Sequence, residues 1–280
     1  MRIAVMTDST AYIPEKIREE LNIHMVPLSV VFDDESYREE LDITSKEFYQ
    51  KLKEHKELPT TSQPSIGYVA QKLEQLAEDY DAVISVHLSS GISGTYQAVV
   101  SAGQMVDDIK LYAYDSEASC IVQAFYCYEA VKLAKQNKTP EEIIARLDEM
   151  KQSMRAYFMV DDLTNLTRGG RLSNAQAVVG SLLQVKPILH FVDKQIVAFE
   201  KIRTRKKAIN RIMSMLEEDA QQGKDLKVSF IHANDEQAAI NLEAEFKAKY
   251  PDIETSISYF GPVIGTHLGE GAIGVGWYEK

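Results

Sequence analysis

Ala82-Val83-Ile84-Ser85-Val86-His87-Leu88, then Ser89-Ser90-Gly91-Ile92-Ser93-Gly94, then Thr95-Tyr96, is the stretch that decides the fold. A short, nearly unbroken apolar run bounded by a turn predicts a strand buried on both faces, as in the middle of a parallel sheet. The serine- and glycine-rich turn that follows leads into a helix over 95–106. Strand, tight turn and helix in that order form the first part of a βαβ unit.

The same rhythm extends in both directions. Residues 2–7 read as a strand that stops at Asp8-Ser9-Thr10, and Pro14 opens a helix to Leu21. Residues 25–32 read as a single strand. Thr44 and Glu47 have capping-box spacing before a helix over 46–54. Pro64 or Ser65 starts another helix. Downstream, 110–114 reads as a strand ending at Asp115-Ser116, and 119–136 as a long helix. Thr139, Pro140 and Glu142 cap the next helix. The expectation is an α/β fold whose first part is a mostly parallel sheet with helices on both faces. Such sheets bind ligands beyond the carboxyl ends of their strands. The turns at Asp8–Thr10, Ser89–Thr95 and Asp115–Ser119 are therefore expected to line one crevice. Aspartate followed by serine at two of these strand ends predicts a shared local role.

Beyond residue 160 the pattern changes. A strand over 156–160 and a loop over 161–173 precede an expected hairpin, 185–191 with 195–202, turning at Asp193-Lys194. A helix (206–221), a strand (227–232), a helix (236–249), a strand (255–259), a glycine-rich segment and a last strand (273–278) follow. The reading is an N-terminal α/β domain over 1–160 and a C-terminal mixed α+β domain over 161–280.

Composition narrows the function classes. The chain has 280 residues, 45% hydrophobic and 26% charged, with a net charge of −11. Such a chain can bury a core, and its acidic balance disfavours general nucleic-acid binding. No apolar run has the length of a membrane span, and Met1–Thr10 does not read as a secretory signal. Cys120 and Cys127 match no zinc or redox spacing and read as reduced buried thiols. A cytoplasmic protein without metal or cofactor is expected.

Walker A, HExxH and GxSxG patterns are absent. Gly269-Glu270-Gly271-Ala272-Ile273-Gly274 matches GxGxxG, but the residues after it leave no room for a phosphate-binding helix. It reads as close backbone packing in a terminal strand. Ser89–Tyr96 is either an anion site at a helix N-terminus or an ordinary capped turn. Thr60-Thr61-Ser62-Gln63-Pro64-Ser65 is a second hydroxyl cluster before a helix, with an N-cap as its simplest reading. Arg168 and Arg171 flank two glycines and suit carboxylate or phosphate. Lys201, Arg203, Arg205, Lys206, Lys207 and Arg211 are six cations in eleven residues. Cations at a helix start oppose its dipole, which hints at an anionic partner. His267, between glycines, is either structural or close to a ligand.

Taken together, these motifs resemble the DegV family. The resemblance rests on Thr7-Asp8-Ser9-Thr10, Thr60–Ser65, Ser89–Tyr96, Leu166–Ser173, Val185–Leu189, Arg203-Thr204-Arg205 and Gly265–Gly269, in the family's order over almost the whole chain. It implies a two-domain protein that binds one long-chain fatty acid and serves as the lipid-binding subunit of a bacterial fatty acid kinase. A separate ATP-binding subunit would phosphorylate the carboxylate to an acyl-phosphate for phospholipid synthesis. By the same resemblance Thr61 and Ser93 hold the carboxylate, with Ser62, Gly94 and Thr95 beside them and His267 in the network. Arg171, Arg203 and Arg205 would dock the kinase subunit or handle phosphate. The alternative is a small-substrate subunit akin to dihydroxyacetone kinase domains, with His267 bonding to a carbonyl. A DNA-binding role for residues 201–211 is the third reading, opposed by the acidic balance.

Overall fold

The computed structural model describes residues 1–55, 57–173 and 186–280. Its strands are β1 (Ile3–Asp8), β2 (Ile23–Val26), β3 (Ser29–Phe32), β4 (Glu35–Arg38), β5 (Thr60–Ser62), β6 (Ala82–His87), β7 (Lys110–Asp115), β8 (Arg155–Met159), β9 (Lys186–Val192), β10 (Gln195–Ile202), β11 (Leu226–His232), β12 (Glu254–Tyr259) and β13 (Ile273–Glu279). The first sheet is parallel throughout, in the order β2-β1-β6-β7. The second is mixed, in the order β10-β9-β8-β13-β11-β12. The α/β architecture is the one expected from the sequence.

The central run behaves as its composition demands. Val83 joins Ala4 and Met6 in a core beneath helices Ile66–Ala77 and Thr95–Gly103. Ile84 and Val86 face the opposite core with Val5. Alternate residues thus bury opposite faces, and each fully buried Val or Ile contributes roughly 1.5–3 kcal/mol. Helix Cys120–Lys135 explains the second core. It is buried on nearly every side from Cys120 to Val131, because it lies between the two sheets. A helix apolar all round needs such a double burial.

Four expectations need correction. Residues 25–32 form two strands in different sheets, because Pro27 has no N–H for a ladder. Beyond it, β3 pairs antiparallel with β4 and β5 in a small third sheet. Thr60-Thr61-Ser62 is therefore a strand, and only Ser65 caps the helix, accepting from Tyr68 N–H. Residues 161–173 are not all loop, since helix Thr164–Arg168 lies within them. The glycine-rich segment contains helix Pro262–Leu268. In the hairpin, β9 begins at Lys186, and the expected start at Val185 lies outside the described residues.

Candidate ligand-binding site

A cavity of about 250 Å³ opens between the two sheets at the start of helix Cys120–Lys135. Its walls are apolar, including Leu88, Val122, Phe158, Phe260, Val263 and Leu268. One end is polar and gathers Thr61, Ser62, Ser93, Gly94, Arg171 and His267. Thr95 stands just behind, fully buried, with its hydroxyl 2.9 Å from Ser93 Oγ.

Each polar group has a local reason for its place. Thr61 is opposite Val30 in the β3–β5 pairing, so the small sheet carries it to the cavity. Ser93 and Gly94 end the turn after β6, and Gly94 is the N-cap of helix Thr95–Gly103 without a capping side chain. The free N–H groups and positive dipole end of that helix suit an anion. Gly94 also permits a close approach, since a Cβ there would fall 2.0 Å from Gln63 Oε1. His267 sits in the last turn of helix Pro262–Leu268. A Cβ on Gly169 would fall 2.4 Å from His267 Nδ1, so the glycine at 169 makes room for the imidazole.

His267 Nε2 lies 2.9 Å from Thr61 Oγ1, while Nδ1 is buried without a hydrogen-bond partner among the described residues. An orphaned N–H is costlier than an orphaned lone pair, so the proton belongs on Nε2 and is donated to Thr61. The Thr61 hydroxyl proton is then free for a ligand oxygen. Burial, helped by the Arg171 charge, pushes the imidazole down to about 4. His267 is therefore neutral at neutral pH. Below its unfolded value near 6.5 the unfolded chain takes up a proton that the fold resists, so this group costs stability as pH falls from 6.5 toward 4. The imidazole protons should titrate near pH 4 by NMR, and an ordinary titration near 6.5 would contradict a buried neutral ring.

Arg171 lines the cavity, with Nε donating to Ile92 O at 3.1 Å. Arg203 and Arg205 are not part of the lining. Arg203 is exposed. Arg205 is held by Asp161 and Asp235, each at 3.1 Å, and Arg211 by Glu200 at 3.0 Å. Acidic neighbours thus answer Arg205 and Arg211 of the charge run over 201–211.

The three strand-end turns do not all reach the crevice. Ser89–Thr95 and the Asp115–Ser119 turn contribute Ser93, Gly94 and Ser119. Asp8-Ser9-Thr10 is buried and spent on internal bonds. The two aspartates nevertheless do one job. Asp8 accepts from Thr10 N–H and from Leu88 N–H, and Asp115 from Glu117 N–H and Ser90 N–H. Each ties its own turn to the end of a neighbouring strand. Burial raises the Asp8 carboxyl, but His87 and the other donors hold it below the usual value. Ser85, His87 and Asp8 also form a serine–histidine–aspartate chain, with contacts of 2.6 and 3.0 Å. All three are fully buried and line none of the described cavities, and the chain bonds β1 to β6.

Sequence reasoning missed Glu39. It is fully buried and accepts from Ser9 Oγ (2.6 Å), Tyr12 Oη (2.9 Å) and Val263 N–H (2.7 Å). Tyr12 Oη also accepts from Ile264 N–H at 3.2 Å. Together they cap helix Pro262–Leu268 and so position His267. Burial raises the Glu39 carboxyl to about 8. An acid within a polar stretch carries no periodicity that marks it as buried.

The fold and the site define an α/β protein of two main sheets and a small third one, with an internal apolar cavity closed at one end by hydrogen-bonding groups. Residues 2–280 match the family model described as an uncharacterised protein of the DegV family, and the chain belongs to that family. Protein DegV of Bacillus subtilis is 59% identical over the full length of both chains. Among solved structures, DegV of B. subtilis, described as a fatty acid binding protein, superposes with a TM-score of 0.96 at 58% identity, covering 100% of both chains. A DegV family protein from Thermus thermophilus, described for its fatty acid binding, gives 0.93 at 32% identity, again over 100% of both.

Proposed function

We propose that this chain binds a long-chain fatty acid and presents its carboxylate to a separate ATP-dependent kinase subunit, which makes the acyl-phosphate used in phospholipid synthesis. The observation that carries this reading is the cavity itself, with apolar walls and one polar, proton-donating end. Each buried CH₂ contributes about 0.8 kcal/mol, so such walls favour an acyl chain. A three-carbon polar substrate would leave them unused. The relatives from B. subtilis and T. thermophilus are described as binding fatty acid.

At the polar end, Thr61 and Ser93 donate hydroxyl protons to the carboxylate, supported by Thr95 and His267 behind them. Among the described residues no lysine lines the cavity, and the Arg171 guanidinium is partly engaged with backbone carbonyls. A carboxylate held by neutral hydroxyls keeps more of its nucleophilicity toward phosphorus than one locked in an ion pair. Thr61, Arg171 and His267 also line an outer recess of about 270 Å³ with Arg168 and Asn165. That recess gives a phosphoryl donor a route to the carboxylate, with Arg168 and Arg171 to balance its charge. Exposed Arg203 is the better docking contact, since Arg205 is already held by two carboxylates. In this reading the chain has no catalytic step or cofactor of its own and works in the cytoplasm. Among the described residues no helix is long and apolar enough to cross a membrane.

Native mass spectrometry of the purified protein, followed by solvent extraction, tests the binding. A one-to-one adduct of fatty-acid mass is expected. A protein that stays empty after incubation with oleate and palmitate would remove the reading.

A further inference from the structure

A second chamber, of about 300 Å³, shares a wall with the acyl cavity. The two share Val122, Ala156, Tyr157 and Phe191. Helix Cys120–Lys135 passes both. Its Cys120 lines only the cavity, Val122 lines both spaces, and Tyr126 lines only the chamber. Four residues span about 6 Å of helix, so Tyr126 lies roughly one turn beyond the shared Val122.

The chamber is polar, and most of its polar groups already have partners. Lys151 Nζ donates to Asp115 O and to Glu117, each at 3.1 Å. Arg155 donates to the carbonyls of Gln152 (3.2 Å) and Met154 (3.0 Å), and Ser116 Oγ to that of Ala118 (3.2 Å). Tyr126 differs. It is fully buried, and its hydroxyl has no hydrogen-bond partner among the described residues. Burial, then the charges of Glu117 and Asp148, raise its pKa, so it remains a phenol with a proton to give. Buried hydroxyls rarely stay unpaired.

We propose that this chamber takes the far end of an acyl chain that carries a hydroxyl there, recognised by Tyr126. The inference rests on the fatty-acid reading above. A methyl end would leave the Tyr126 proton unpaired. A second carboxylate would meet Glu117, whose neighbour Lys151 is already paired with it. A ligand hydroxyl accepts from Tyr126 and presents its own proton toward the Glu117 side. Val122, Ala156 and Phe191 are then the passage through which the chain must thread.

The test is isothermal titration of lipid-stripped protein with hexadecanoate, octadecanoate and their terminally hydroxylated counterparts. At one of these lengths the hydroxy acid should bind within about threefold of its plain parent, or tighter. Tyr126→Phe should weaken the hydroxy acid at least tenfold at that length and leave the plain acid unchanged. Ala156→Leu, which narrows the passage with Tyr126 intact, should impose a similar penalty on the hydroxy acid relative to its parent. A hydroxyl penalty equal in wild type and Tyr126→Phe overturns the proposal and leaves the fatty-acid reading standing, as does an equal loss for both acids in that variant. Failure of the wild type to bind either plain acid overturns both.

Discussion

Glu39→Ala is expected to lower the folding free energy by about 3–5 kcal/mol, the range for removing one partner from a buried charged or hydrogen-bonded group. The substitution strands the Val263 N–H and the hydroxyls of Tyr12 and Ser9, all of them buried. It also uncaps the helix that carries His267, so ligand affinity should fall with stability. Glu39→Gln should cost less, about 1–2 kcal/mol, because its carbonyl oxygen can still accept from Val263 and Tyr12. The pH dependence separates the two effects. The Glu39 carboxyl, raised to about 8 by burial, keeps its proton in the fold while the unfolded chain has lost it above 4.5. Its stabilising contribution is complete below 4.5 and is lost as pH rises through 8. Glu39→Gln should flatten that alkaline loss in urea titrations between pH 5 and about 9. An unchanged slope would show that Glu39 is ionised in the fold.

Thr61→Val should raise the Kd for a long-chain fatty acid by about 10–100-fold, since a hydrogen bond to a charged group is worth about 1.5–3 kcal/mol. Valine keeps the shape and suits the short strand β5, so loss of stability should be small. Two bonds disappear together: the donor to the carboxylate, and the acceptor for His267 Nε2–H. Thr61→Ser retains the hydroxyl and should stay within a few-fold of wild type. Displacement of a fluorescent fatty acid measures all three proteins. Valine binding as tightly as threonine would mean that the head group sits elsewhere.

Much of this molecule is readable along the chain. The run from Ala82 to Leu88 announced a strand buried on both faces, and Ile84 and Val83 do face opposite cores. The capping boxes at Thr44–Glu47 and Thr139–Glu142 formed with both reciprocal bonds in place. These are local matters, fixed by backbone geometry within a few residues. The divided strand at Pro27 was legible in principle, through the missing N–H. Helix Pro262–Leu268 was hidden by its glycines, because its stability comes from packing on Phe48 and Tyr49 and from a cap supplied by distant residues.

The sequence by itself determined the α/β class, the parallel core and the hydroxyl-rich turns at the ends of its strands, since periodicity and turn chemistry act over neighbouring residues. Only the tertiary structure decided which of those turns face a ligand. Thr61 and His267 are separated by 206 residues, and Glu39 and Val263 by 224. Their meeting depends on how the sheets close around one buried helix. The same closure buried Asp8-Ser9-Thr10 and left Ser93 and Thr61 at the cavity. It also made Glu39 a buried cap, because burial, unlike propensity, belongs to the assembled fold.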